Sequence, residues 1–361
     1  MRDNDLKYMK IALQLAKRGL GNTAPNPSVG CVIVKNDKIV GRGYTARGGR
    51  PHAETIALEM AGENAKGAMV YVTLEPCSHQ GQTPPCAEAL VDAGVSRVVV
   101  ATEDISSKVD GKGIEVLENA GIEIEVGLCE NEAVDINEGF FSVIERKRPF
   151  VTLKLATTLD GKIATATGDS KWITGKKAQR YAHLLRKIND GILVGSGTVK
   201  HDDPMLNCRI KGLENCSPIR IVADSKLRIS ESSAIIKTAK DIPVMILATK
   251  MRELFNPREV EVVLVSADED GRCDMKESLE KLAEQGITRL LVEGGASIAA
   301  SLIKRKLVDK IIIIHAPKIV GKDGLPSISD LGIEDISQSP MFHLLSVRKL
   351  GDDVVSEYEA L

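Results

Sequence analysis

Apolar positions in the first part of the chain switch between two periods. Leu6, Met9, Leu13 and Ala16 recur at helical spacing and stop at Gly19 and Gly21, which predicts an amphipathic helix with a glycine end. Residues 29–35 and 38–44 are short apolar runs flanking Asn36-Asp37, and they read as a β-hairpin. A helix is expected over 52–61, with Pro51 suited to its first turn, then a strand over 68–74 running into Pro76-Cys77. Helices over 85–93, 113–119 and 130–144 alternate with strands over 96–102 and 122–126. Such alternation predicts a three-layer α/β domain.

Arg146-Lys147-Arg148-Pro149 marks a boundary, because proline after a charge cluster ends a helix and a new strand begins at Phe150. The basic run reads as a solvated joint. Beyond it, strands over 150–156, 190–194, 219–223, 244–248, 260–265, 289–293 and 310–316 alternate with helices over 176–187, 275–285 and 297–306. Two α/β domains are therefore expected, 1–147 and 148–361, and no internal repeat is visible.

Composition agrees. A chain of 361 residues is long enough for two cores, and 43% hydrophobic with 27% charged residues is a soluble globular balance. A net charge of -2 and 3% aromatics argue against a nucleic-acid partner. The longest apolar run, around 311–314, is strand-sized, so no membrane segment is expected, and the start of the chain lacks an apolar signal core. Seven cysteines, an odd number, suggest reduced thiols and a cytoplasmic protein. The expected partners are a small-molecule substrate and further copies of the chain in a homo-oligomer.

The chemistry concentrates in His52-Ala53-Glu54, Pro76-Cys77 and Cys86. One imidazole and two thiolates can hold zinc and leave a fourth position for water, whose pKa the metal lowers towards neutrality. Glu54, two residues beyond the histidine, is placed to move that water's protons. His-x-Glu followed by Pro-Cys is the signature of zinc deaminases of nucleobases, although here eight residues rather than two separate the cysteines. A structural zinc site would use four protein ligands and would have no use for Glu54. His79 lies two residues past Cys77 in a loop and reads as a pocket residue rather than a fourth ligand. Two glycine-rich segments in the second half are candidates for a nucleotide. Gly195-Ser-Gly197-Thr198 carries Lys200 where a full dinucleotide fingerprint would have its last glycine, and Glu293-Gly294-Gly295 opens a helix after a strand. Either alone is also compatible with a plain tight turn. Arg186 and Arg209 suit bidentate phosphate contacts or surface ion pairs equally well.

Taken together, Pro27-Ser-Val-Gly-Cys31, His52-Ala-Glu54, Glu75-Pro-Cys77-Ser-His79…Thr83-Pro-Pro-Cys86, Leu159-Asp160-Gly161-Lys162, Gly168-Asp-Ser170…Trp172, Asp202-Asp203-Pro204…Arg209 and Glu293-Gly294-Gly295 resemble one family. It is the bifunctional riboflavin-biosynthesis family, a diaminohydroxyphosphoribosylaminopyrimidine deaminase fused to a 5-amino-6-(5-phosphoribosylamino)uracil reductase. The resemblance covers nearly the whole chain. It implies a cytidine-deaminase-like first domain and a dihydrofolate-reductase-like second domain, with Zn2+ and NADPH as cofactors. It places zinc on His52, Cys77 and Cys86, with Glu54 as proton shuttle and Asn26 and His79 at the deaminase substrate. It places NADPH near Ala156, Trp172, Thr198, Asp202, Ser225 and Gly295, and the phosphoribosyl substrate near Ser170, Arg186, Leu206, Arg209 and Glu293. Two departures bear on the deaminase pocket: Thr45 stands where many members have histidine, and Gln82 where they have arginine or lysine. The implied reactions are hydrolytic deamination of the pyrimidine, then reduction of its ribosyl side chain to ribityl. The rival readings are a nucleic-acid or nucleoside deaminase with an accessory nucleotide-binding domain, and a non-catalytic zinc and nucleotide module.

Overall fold

The computed structural model describes residues 4–78, 84–106, 109, 111–252, 255 and 258–361. The chain divides into two compact units, Met1–Lys147 and Arg148–Leu361.

In the first unit the strands are β1 (Gly30–Lys35), β2 (Lys38–Tyr44), β3 (Met69–Val72), β4 (Arg97–Val100) and β5 (Glu123–Val126). Its helices are α1 (Asp5–Gly19), α2 (Ala53–Ala61), α3 (Cys86–Asp92), α4 (Lys112–Asn119) and α5 (Glu130–Arg146). The five strands form one sheet in the order β2-β1-β3-β4-β5. The β1–β2 hairpin turns at Asn36 and Asp37, both in the left-handed region at φ 51° and 58°, which suits the twist of the flanking strands. Successive side chains of a strand point to opposite faces. Cys31, Ile33, Val70, Val72, Val98 and Val100 accordingly cluster with Ala53, Ala57, Ala87, Leu90 and Leu117 of α2, α3 and α4. Val32, Val34, Tyr71 and Val99 cluster with Tyr8, Met9 and Leu13 of α1 and Ala133 and Ile136 of α5. Three layers result. Pro51 lies ahead of the helix and not in its first turn, because His52 is extended at ψ 162° and α2 starts only at Ala53.

The second unit contains β6 (Phe150–Thr157), β7 (Lys162–Ala164), β8 (Gly191–Gly195), β9 (Ile219–Ala223), β10 (Val244–Ala248), β11 (Val260–Leu264), β12 (Arg289–Glu293), β13 (Lys310–His315), β14 (Leu325–Pro326), β15 (Phe342–Leu350) and β16 (Asp353–Ala360). Its helices are α6 (Lys176–Lys187), α7 (Ser196–Asp202), α8 (Ala234–Lys237), α9 (Met275–Glu284) and α10 (Ala296–Lys304). Nine strands form a sheet in the order β11-β10-β9-β8-β12-β6-β13-β16-β15. From β11 to β13 the pairing is parallel, and β16 and β15 add antiparallel. Strands such as Gly-Ile-Leu-Val-Gly of β8 and Val-Met-Ile-Leu-Ala of β10 are buried almost throughout, as parallel strands covered on both faces require.

One expectation needs correction. Arg148 is not part of a solvated joint. Its guanidinium makes two 2.7 Å hydrogen bonds to Asp309, which also accepts the Val151 N–H, and the two side chains are only 11% and 6% exposed. The sheet also continues past residue 316, through the β15–β16 hairpin, where apolar and charged positions are mixed too closely to show a strand period.

Candidate active sites

Helix starts and one loop build the site of the first unit. His52 is the N-cap of α2, Glu54 lies in its first turn, Cys77 follows β3, and Cys86 opens α3. The α2 start is held against the hairpin by close approach, since a Cβ on Gly43 would lie 2.3 Å from the Ala53 carbonyl oxygen and one on Gly41 2.1 Å from that of Ala57. The Cys77 loop is anchored by Glu75. Its buried carboxylate accepts backbone N–H bonds from Asp104, Gly111, Gly113 and Ile114, and so caps the start of α4. Sequence reasoning missed this role, although Glu75 stands in the Glu-Pro-Cys motif itself.

The ligand atoms of His52, Cys77 and Cys86 lie within 4.8 Å of one another. His52 Nδ1 is 3.3 Å from Cys86 Sγ and 3.6 Å from Cys77 Sγ. Bonds of about 2.0 Å to nitrogen and 2.3 Å to sulfur at tetrahedral angles separate such ligands by roughly 3.5 Å, so the donor set fits zinc. The Cys86 N–H also donates to Cys77 Sγ at 3.4 Å. Hydrogen bonding from the Cys86 side chain pulls the Cys77 thiol down to about 4, while the same contact and burial push Cys86 up. The hydrogen bond to Cys77 raises the pKa of His52. Glu54 is 3% exposed, and burial followed by the charge of Cys77 lifts its carboxyl to about 7. Asn26 donates to the Gly49 carbonyl at 3.2 Å, in the loop leading to His52. Thr45 is buried and its hydroxyl accepts the Val29 N–H at 2.9 Å, so it closes the end of the hairpin. His79 and Gln82 lie outside the described residues.

In the second unit the C-terminal ends of β8, β9 and β12 open on a cavity of about 340 Å3. Thr198, Ser225 and Gly295 line it, with Ala223, Met275 and Ile298 as apolar wall. Gly294 and Gly295 adopt φ 93° and 86°, and a Cβ on either would point at the Thr198 hydroxyl, 3.8 Å away. Crevices at the carboxyl ends of parallel strands are where open α/β sheets bind ligands, and the start of α10 lies in the wall of this one. Ala156, Trp172 and Asp202 are not among the lining residues. Trp172 is 67% exposed, and its carbonyl accepts a bond from Lys318 Nζ.

Glu293, at the end of β12, gathers the cations. Arg186 binds it through Nε and Nη2 at 2.7 and 2.9 Å, and Lys154 Nζ stands 3.7 Å away. Burial opposes ionisation of Glu293, but Arg186 and Lys154 outweigh it and hold the carboxyl at about 2. Arg186 is thus a half-buried ion-pair partner and not a surface one. Asn207 ties the cluster together: its carbonyl meets Arg186 and His183, and its side chain meets Arg209 at 3.1 Å. Burial and Arg186 lower the pKa of both Arg209 and His183. Leu206 has its side chain in the core, at φ 50°, so only its backbone is available to a ligand. Ser170 sits half-buried in the loop before α6 and joins none of these contacts.

Comparison with known proteins identifies both halves. The cytidine and deoxycytidylate deaminase zinc-binding region matches residues 2–102, and the RibD C-terminal domain matches residues 149–356. The riboflavin biosynthesis protein RibD of Aquifex aeolicus is 46% identical over 358 residues, covering 98% of each chain. The chain belongs to the RibD family. RibD of Escherichia coli is 41% identical over 361 residues, covering 97% of this chain and 98% of its own. Among solved structures, a RibD of Acinetobacter baumannii superposes with a TM-score of 0.90 at 38% identity, over 99% of both chains. A Thermotoga maritima diaminohydroxyphosphoribosylaminopyrimidine deaminase/5-amino-6-(5-phosphoribosylamino)uracil reductase does so with 0.89 at 36%, again over 99% of both. The protein is a bifunctional RibD-family enzyme of riboflavin biosynthesis, a hydrolytic deaminase and a reductase, using Zn2+ and NADPH. Its first unit is cytidine-deaminase-like and its second is the dihydrofolate-reductase-like domain of this family.

Proposed function

We propose that residues 1–147 deaminate 2,5-diamino-6-ribosylamino-4(3H)-pyrimidinone 5′-phosphate, and that residues 148–361 reduce the ribosyl group of the product to ribityl. One observation carries the deaminase assignment: a three-ligand donor set beside a buried carboxylate, Glu54, which feels the charges of Cys77 and His52. When bound, zinc supplies a Lewis acid that brings water's pKa towards neutrality, and NADPH supplies a hydride. His52, Cys77 and Cys86 hold the metal, and Glu75 fixes the loop that carries Cys77. Glu54 takes the proton from the attacking water and delivers it to the leaving nitrogen, so that water and amine become carbonyl and ammonia. Asn26 contacts the pyrimidine, and His79, outside the described residues, is assigned to the same substrate on the family resemblance alone. In the second unit Thr198, Ser225 and the Gly295 turn seat the cofactor, and Ala156, Trp172 and Asp202 complete its site. Arg209, the Leu206 backbone and Ser170 hold the phosphoribosyl group, with Arg186 locked in place by Glu293. The reductase then acts mainly by setting cofactor and substrate face to face.

No disulfide joins any of the seven cysteines, and among the described residues no helix is long and apolar enough to cross a membrane. The substitution Glu54→Gln tests the deaminase. Zinc content should stay unchanged while ammonia release falls about a hundred- to ten-thousandfold. Near-normal deamination with zinc bound would remove Glu54 from the mechanism.

A further inference from the structure

The cavity at the strand ends of the second unit has charged side chains in its wall. Three charged residues line it: Arg228, Asp268 and Arg272. Asp268 is spoken for. One of its oxygens pairs with Arg305 at 3.2 Å, and the other accepts the N–H groups of Asp270 and Arg272 at 3.0 and 2.9 Å. An acidic side chain with free acceptors would favour the 2′-hydroxyl of NADH, whereas an arginine accommodates the 2′-phosphate of NADPH.

Arg228 is the better placed of the two cations. Among the described residues its guanidinium makes no hydrogen bond or ion pair, and it lines a second cavity of about 550 Å3 that adjoins the first through Ser196 and Gly197. That second cavity also carries Lys200 and the hydroxyls of Ser230, Ser232 and Ser233. Its one acidic residue, Asp203, has an oxygen engaged by the Ala234 N–H at 2.7 Å. The position of Arg228 is built in rather than incidental. Asp224, fully buried, accepts the Ile229 N–H at 2.7 Å and closes the turn with a 2.9 Å bond from Leu227 N–H to its own carbonyl. Leu227 is buried at φ 49°, so the turn from β9 presents Ser225 and Arg228 to the same cavity.

We infer that Arg228, with the serine-rich turn beyond it, holds the 2′-phosphate of NADPH and sets the enzyme's preference over NADH. The inference rests on the reading that the cofactor occupies this cavity. Arg228 lines both cavities and Lys200 the second, so both cations are available to that phosphate.

Equilibrium binding of NADPH and NADH to the full chain tests this without turnover, followed by cofactor fluorescence, with 2′,5′-ADP and 5′-ADP as competitors. Arg228→Gln should weaken NADPH and 2′,5′-ADP about ten- to a hundredfold, the range of a charge-assisted contact, and leave NADH and 5′-ADP unchanged. Arg228→Lys should restore part of the NADPH affinity, and added salt should weaken NADPH in the wild type more than in Arg228→Gln. Equal loss of both cofactors, or unchanged NADPH binding, overturns the role of Arg228. Ser301→Trp, which fills the far end of the first cavity from the surface of α10, should block both cofactors; binding that survives it overturns the cavity assignment itself.

Discussion

At the scale of single residues, the two catalytic units treat carboxylates in opposite ways. Glu54 is buried with its charge opposed by burial and by Cys77, whereas Glu293 is buried with two cations that more than compensate. The first is a group poised to exchange a proton, and the second is a fixed anion that aligns Arg186. The depressed pKa of Glu293 has a consequence for stability. Its folded value of about 2 lies below the unfolded carboxyl value, so the stabilisation is fully present above about pH 4.5 and fades as pH falls towards 2. Glu293→Gln should lower stability near neutral pH by about 3 kcal/mol, because it leaves the Arg186 charge half-buried and unneutralised. Thermal melts of wild type and variant should then converge as the pH drops from 5 to about 2. Parallel melting curves across that range would show that the pair does not stabilise the fold.

At the scale of elements, the deaminase site was legible because its parts are local. His52 and Glu54 sit two residues apart at a helix start, and Cys86 opens the next helix, so motif and capping signals fall on the same residues. The cation cluster of the second unit was not legible in that way. Arg186 and Glu293 are 107 residues apart, and their contact joins α6 to the end of β12 in a way that no periodicity announces. Glu75 went unread for a related reason, since its four N–H partners come from the start of α4 and the segment before it. The packing of α2 on β2 gives an element-level prediction. Gly43→Ala places a methyl 2.3 Å from the Ala53 carbonyl oxygen and 2.9 Å from the Ile56 Cβ, so the helix start must move. Such overpacking should cost about 1–3 kcal/mol and loosen zinc about tenfold in competition with a chelator. Unchanged zinc retention would mean that the hairpin does not set the position of His52.

At the scale of the whole molecule, the sheet of the second unit ends on an edge that the sequence did not announce. Leu344, Leu345 and Val347 of β15 are 49%, 46% and 60% exposed, on the outermost strand of a nine-stranded sheet. Exposed edge strands can pair with another chain, and edge-to-edge pairing of two copies is the arrangement this strand predicts. Val347→Lys should therefore reduce the mass measured by light scattering at micromolar concentration, and an unchanged mass would place the interface elsewhere. The two-unit organisation itself is the account's central claim, and separate assays of the two reactions test it most directly. Zinc-loaded enzyme should release ammonia from the diaminopyrimidine substrate without NADPH, and should oxidise NADPH when given the deaminated product. After chelation the first signal should disappear and the second remain. Ammonia release that survives chelation, or loss of both signals together, would contradict it.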